Sequence, residues 1–227
     1  MKILIYSFLL LLCTMNIFSQ DGWIRQKSNT SETLWGVYFF DSLTGWACGG
    51  WGTILHTKDG GKNWLKQKSK SSENLGGIQF IDKNTGWIVG LGGSLQKTND
   101  GGNNWFKQNA LISNDLFGIF FIDTLKGWAV GDSGTILNTI DGGLNWIKQN
   151  SEVENILFSV SFIDSLKGFI VGDKGNILET TDGGQNWIIK ETKSNRVLVQ
   201  IHFIDSITGW AVGSDGNFGV ILNTTNG

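Results

Sequence analysis

Residues 34–64 read Leu34-Trp35-Gly36-Val37-Tyr38-Phe39-Phe40-Asp41-Ser42-Leu43-Thr44-Gly45-Trp46-Ala47-Cys48-Gly49-Gly50-Trp51-Gly52-Thr53-Ile54-Leu55-His56-Thr57-Lys58-Asp59-Gly60-Gly61-Lys62-Asn63-Trp64. This stretch decides the fold because the chain repeats it. Asp41, Asp82, Asp123, Asp164 and Asp205 stand 41 residues apart, as do Gly45, Gly86, Gly127, Gly168 and Gly209. Trp23, Trp64, Trp105, Trp146 and Trp187 keep the same spacing. A constant period of this length marks a stack or ring of similar units.

Inside the unit the pattern is that of strands. Leu34–Phe40 is apolar, aromatic and β-branched, and it ends at Asp41. Asp41 to Gly45 is a tight turn, in which Asp bonds backbone N–H groups and Gly takes positive φ. Trp46–Gly49 is a second strand and Thr53–Thr57 a third. Asp59-Gly60-Gly61 turns the chain again into a fourth, Trp64–Gln67. Four short strands per 41 residues match one blade of a β-propeller. The expectation is an all-β propeller of five four-stranded blades, over about 34–74, 75–115, 116–156, 157–197 and 198–227. It is either a closed five-bladed ring or an arc of a seven-bladed one. The fifth unit stops inside its own turn at Thr224-Thr225-Asn226-Gly227. An N-terminal strand over 20–28, with Trp23 at the repeat position, would complete it and close the ring.

Composition agrees. The 227 residues hold 32 Gly and no Pro, where average usage gives roughly 16 and 11, so tight turns are abundant and Pro-rich linkers absent. The charge of −2 argues against a nucleic-acid binder. Lys2 followed by the short apolar run Ile3–Leu12 and a small residue at Ser19 reads as a signal peptide over 1–19. No later segment is apolar enough to span a membrane. The mature chain, 20–227, is therefore expected to be secreted, periplasmic or on the surface of a bacterium. It keeps one thiol, Cys48, which aligns with Val89, Val130, Val171 and Val212 and reads as a buried valine substitute.

Thr57-x-Asp59-x-Gly61-x-Asn63-Trp64, repeated with Asp100 and Trp105, Asp141 and Trp146, and Asp182 and Trp187, resembles the Asp-box of BNR repeats. With Gly45-Trp46 and Gly49 upstream, the whole unit is similar to the photosystem II stability/assembly factor family. The resemblance implies a propeller that in phototrophs assists photosystem II assembly. In such families the box is a structural hairpin away from the active site. The family's partner surface is a basic patch with arginines, and Arg25 and Arg196 alone do not reproduce it.

Chemistry is scarce. Five equivalent aspartates serve five equivalent turns, so Asp41, Asp59 and their copies are read as structural. No catalytic residue, cofactor or metal ligand is assigned. His56 sits at a position otherwise held by Lys97, Asn138, Glu179 and Asn223 and is expected to face solvent. What varies between copies is the better guide to binding. Trp35, Tyr38, Phe117 and His202 fall on the innermost strand. Trp51, Asp132, Lys174 and Phe218 fall in the loops between second and third strands, and Arg196 before the last inner strand. An exposed Trp often anchors an interface. The expected function is a non-catalytic scaffold for a protein or glycan partner. The alternative is a glycan-active enzyme, which needs two converging carboxylates. Asp41-Ser42-Leu43, Asp123-Thr124-Leu125, Asp164-Ser165-Leu166 and Asp205-Ser206-Ile207 resemble a bacterial O-glycosylation sequon, although each coincides with a turn that accounts for it without glycans.

Overall fold

A computed structural model describes residues 22–190, 192, 195–214 and 216–227; the leader expected over 1–19 lies outside them. The fold is a β-propeller. The first blade is β1 (Leu34–Phe39), β2 (Gly45–Gly49), β3 (Ile54–Thr57) and β4 (Leu65–Gln67), paired antiparallel in that order. The second is β5 (Leu75–Phe80), β6 (Gly86–Gly90), β7 (Ser94–Thr98) and β8 (Phe106–Lys107). The third is β9 (Leu116–Phe121), β10 (Gly127–Gly131), β11 (Ile136–Thr139) and β12 (Ile147–Gln149). The fourth is β13 (Leu157–Phe162), β14 (Gly168–Gly172), β15 (Ile177–Thr180) and β16 (Ile188–Lys190). The fifth has three strands, β17 (Val197–Phe203), β18 (Gly209–Ser214) and β19 (Gly219–Thr224). Among the described residues no helix is long and apolar enough to cross a membrane.

The core lies between blades. In the first four blades the aromatic residue of the second strand meets the phenylalanine that ends the next blade's inner strand. Trp46 stacks on Phe80, Trp87 on Phe121 and Trp128 on Phe162, each with ring centroids 3.5 Å apart. The tryptophan of the following fourth strand closes edge-on: Phe80–Trp105, Phe121–Trp146 and Phe162–Trp187 are all 5.9 Å apart. This aromatic sandwich explains why Trp and Phe recur at fixed spacing. Cys48 is fully buried in the same layer, and burial pushes its thiol up to about 12.

His56 departs from the sequence expectation. It is buried, and its ring lies flat on Trp46 with centroids 4.7 Å apart. Burial, with a contribution from Lys58, lowers its pKa to about 4, so it is neutral at physiological pH. The position looked solvent-facing because its other occupants are polar. The cross-strand Trp offers a platform that Lys97 also uses: its Nζ stands 5.1 Å from the Trp87 ring.

A clip joins successive blades. Trp105 Nε1 donates to Gln67 Oε1 of the preceding blade (3.3 Å), while Gln67 Nε2 donates to the Gly101 carbonyl (2.8 Å). Trp187 and Gln149 repeat the first bond at 3.1 Å. Gln26 makes the same pair of bonds to Trp64 and Gly60 (3.1 Å each), so the N-terminal segment occupies the place of a preceding blade's fourth strand. It does not complete the fifth blade, as the closed-ring expectation required. Residues 22–28 form no strand, β19 pairs among the described residues only with β18, and Trp23 is fully exposed. The reason is that the end blades do not pack on each other. Val37 and Phe39 of the first blade, and Val212 and Ile221 of the fifth, are exposed, whereas the equivalent side chains between blades are largely covered.

The turns between third and fourth strands are built by side chains. Thr57 Oγ1 donates to Asp59 Oδ1 (2.8 Å) and accepts from Gly61 N (2.9 Å). Asn63 donates its backbone N–H to Asp59 Oδ1 (2.9 Å) and its amide to Oδ2 (2.7 Å). The Asn63 bonds hold the Asp59 carboxyl at about 2, and the bonds from Asn186 do the same for Asp182, against an ordinary 3.8. A depressed folded pKa stabilises the fold above the ordinary value, and this contribution is lost as pH falls toward the folded one. Thermal melts are therefore expected to be level from neutral pH to about 4 and to fall between about 4 and 2. A melting temperature unchanged across that window would refute this role for the carboxylates.

Candidate partner-binding channel

Every inner strand carries one irregularity at the same place. The ladder to its neighbour skips a residue between Leu34 and Gly36, Leu75 and Gly77, Leu116 and Gly118, Leu157 and Ser159, and Leu198 and Gln200. The skipped residues are Trp35, Gly76, Phe117, Phe158 and Val199. A β-bulge re-aims the side chain of its extra residue. Here the five bulged residues come together at one mouth of the central channel, with Leu91 and Gln200, around a cavity of about 500 Å³. Phe117 and Phe158 touch, with centroids 5.5 Å apart. Trp35 remains half exposed and Val199 nearly so. The mouth is thus a preformed apolar concavity, the usual character of a binding pocket.

Below it the channel holds about 490 Å³ and is lined by all five inner strands, including Tyr38, Gln79, Phe120, Ser161, Gln200 and His202. Burial raises the Tyr38 pKa, so its phenol stays protonated. Gln79 is committed to the next blade: its amide donates to the Phe121 carbonyl (3.1 Å) and accepts from Phe121 N (2.6 Å). Among the described residues that line the channel there is no Asp or Glu. Among all described residues no group of three or more His, Cys, Asp or Glu is placed to hold a metal.

Of the side chains singled out by sequence, the structure brings Trp35, Tyr38, Phe117 and His202 onto this one channel. The other five do not line it. Trp51 and Lys174 occupy the same left-handed position in two loops between second and third strands (φ 52° and 56°). Trp51 stands three-quarters exposed, and Asn74 Oδ1 accepts from its N–H at 3.2 Å. Asp132 donates its N–H to the Asp115 carbonyl (2.8 Å) and accepts from Ser133 through its side chain. Arg196 precedes β17, and the exposed Phe218 lies beside the turn of the β18–β19 hairpin. Sequence reasoning missed Phe158, Val199 and Gln200. The first two lie one and two periods beyond Phe117, so the repeat itself contains the signal once the bulge is recognised. Asp215 lies outside the described residues.

The family model described as photosynthesis system II assembly factor YCF48 matches residues 15–109 and 144–227. Among solved structures, one described as YCF48 bound to D1 peptide is 16% identical with a TM-score of 0.49, covering 87% of this chain and 94% of that one. YCF48 from Cyanidioschyzon merolae is 16% identical with a TM-score of 0.48, covering 87% and 96%. An ancestral GH74 enzyme is 15% identical with a TM-score of 0.71; the match covers 87% of this chain but only 30% of the enzyme. At that identity the GH74 likeness shows the fold alone. No curated protein gives a significant match.

Proposed function

The chain belongs to the photosynthesis system II assembly factor YCF48 family, and on that premise we propose that it is an exported, non-catalytic propeller scaffold that holds a polypeptide partner at the bulge-built mouth of its channel. The observation that carries this reading is the convergence of Trp35, Phe117, Phe158 and Val199 on one cavity while their ladders are interrupted to let them do so. Aromatic anchors in a preformed concavity are what dominates binding energy at protein interfaces. Gln200 adds an amide at the same rim, suited to one backbone N–H or carbonyl of an extended chain. A family member has been seen with a D1 peptide; the partner class proposed here follows from the mouth, and that peptide is not carried over. Glycoside hydrolysis would require two carboxylates about the reacting bond, and the described lining supplies none.

The test is selection of random-sequence peptides on the mature protein, followed by measurement on the variant W35A/F117A/F158A. Selected peptides are expected to carry aromatic or large aliphatic side chains. The variant is expected to bind them at least about tenfold more weakly, since an interface anchor is worth roughly 2 kcal/mol or more. Its melting temperature should change little, because these side chains face the channel. Equal affinity in the folded variant would overturn the assignment.

A further inference from the structure

The turns joining first and second strands form one face of the molecule, and all five share one geometry. Leu43 and Thr44 donate their N–H groups to Asp41 Oδ1 at 2.9 and 2.7 Å. The same pair of bonds is made to Asp82, Asp123, Asp164 and Asp205. The turn therefore explains the aspartate. It does not explain the two residues that follow. Ser42, Thr124, Ser165 and Ser206 are exposed, and none of their hydroxyls is among the side-chain bonds of the turn. In the second blade Lys83 takes that place and Asp82 makes the same two bonds, so the turn needs no hydroxyl there. The next residues, Leu43, Leu125, Leu166 and Ile207, are 56%, 57%, 55% and 50% exposed. Four large aliphatic side chains on the turn tips thus keep half or more of their surface in solvent.

We propose that these four Asp-Ser/Thr-Leu/Ile turns are O-glycosylation sites, recognised outside the cytoplasm by a glycosyltransferase that reads the aspartate, the hydroxyl and the aliphatic side chain as a unit. The proposal rests on the export proposed above. In the transfer, the Ser or Thr oxygen attacks the anomeric carbon of a phosphate-linked glycosyl donor. The new C–O bond replaces the bond to the donor's phosphate, the hydroxyl proton passes to a base of the transferase, and the phosphate-linked carrier leaves. An uncharged sugar suits the place better than a phosphate would. A phosphate carries up to two negative charges and would stand against the capping carboxylate one residue away. A glycan is bulky and solubilising and would cover the aliphatic tips. The second blade, with Asp82-Lys83-Asn84, is a built-in negative control.

The experiment is the intact mass and peptide map of the full chain purified from all fractions of the bacterium that encodes it. The expected result is a chain lacking residues 1–19 and carrying four equal mass additions, one each on Ser42, Thr124, Ser165 and Ser206. Each of S42A, T124A, S165A and S206A should remove one addition with the melting temperature unchanged, and K83S/N84L should create a fifth. A chain that has lost its leader but has the bare sequence mass overturns the glycosylation alone. A bare chain that retains Met1 overturns export and this proposal together. Additions that survive the fourfold alanine variant also overturn it.

Discussion

Replacing Trp87 with alanine is expected to cost about 3–5 kcal/mol, the range for deleting a fully buried large aromatic, and to lower the melting temperature by roughly 10 °C for a domain of this size. Trp87 has no exposed surface. One face stacks on Phe121 at 3.5 Å, and Lys97 stands over the ring at 5.1 Å. Its Nε1 donates to the Gly142 carbonyl at 3.2 Å. Truncation opens a cavity between the second and third blades and leaves the Gly142 carbonyl with Lys97 Nζ, at 3.0 Å, as its donor. Trp210 is the control. It is the same repeat position in the fifth blade, but no following phenylalanine covers it and it is 39% exposed, so W210A is expected to cost clearly less, about 2 kcal/mol. Denaturant melts of the two variants measure the difference. Equal losses would mean that the aromatic sandwich between blades is not what holds the molecule together.

Gly131→Ala is the second large effect. Gly131 ends β10, where the loop folds back on the entry to β9. A Cβ there would lie 1.9 Å from the Asp115 carbonyl oxygen and 2.9 Å from its carbon. These are backbone atoms, and the same stretch is fixed by the bond from Asp132 N to Asp115 O at 2.8 Å. Relief requires the strand entry to move, and we expect a loss of about 3 kcal/mol, the upper part of the range for forced overpacking. Gly92→Ala supplies the contrast. Gly92 has a positive φ of 63°, but only the Glu73 Cγ lies within 4 Å, at 3.9 Å. Its equivalents Trp51, Ser133 and Lys174 already hold non-glycine residues at φ of 52–56°. The expected cost is about 1 kcal/mol, the left-handed penalty alone. A variant G131A as stable as G92A would refute the close-approach account of the strand-end glycines.

The repeat made the fold legible because each recurring residue has a separate physical task. Gly45 and its copies face the ring of the inner-strand phenylalanine, 2.5–2.6 Å from where a Cβ would be. Asp59 and its copies tie a turn, and Trp64 and its copies close the sandwich edge-on. Predicted strands at 34–40, 46–49, 53–57 and 64–67 agree with β1 to β4 to within a residue at each end. The channel was only half legible. Trp35 and Phe117 stood out as aromatic on the inner strand, but alternation alone would send neighbouring residues to opposite faces. Only a bulge puts position 35 and its copies at the mouth, and nothing in the pattern of apolar residues distinguishes a bulged strand from a regular one. His56 was misread for a related reason. Its fate depends on the ring across the ladder, Trp46, and not on its own polarity.

The most direct test of the central claim is site-specific photocrosslinking in the cell that makes the protein. A benzophenone amino acid placed at Phe158, in the channel mouth, is compared with one at Leu144, an exposed turn residue on the opposite face. The account predicts a discrete polypeptide adduct from position 158 that disappears with W35A/F117A, and none from position 144. Adducts from position 144 alone, or adducts from 158 that persist in W35A/F117A, would contradict it.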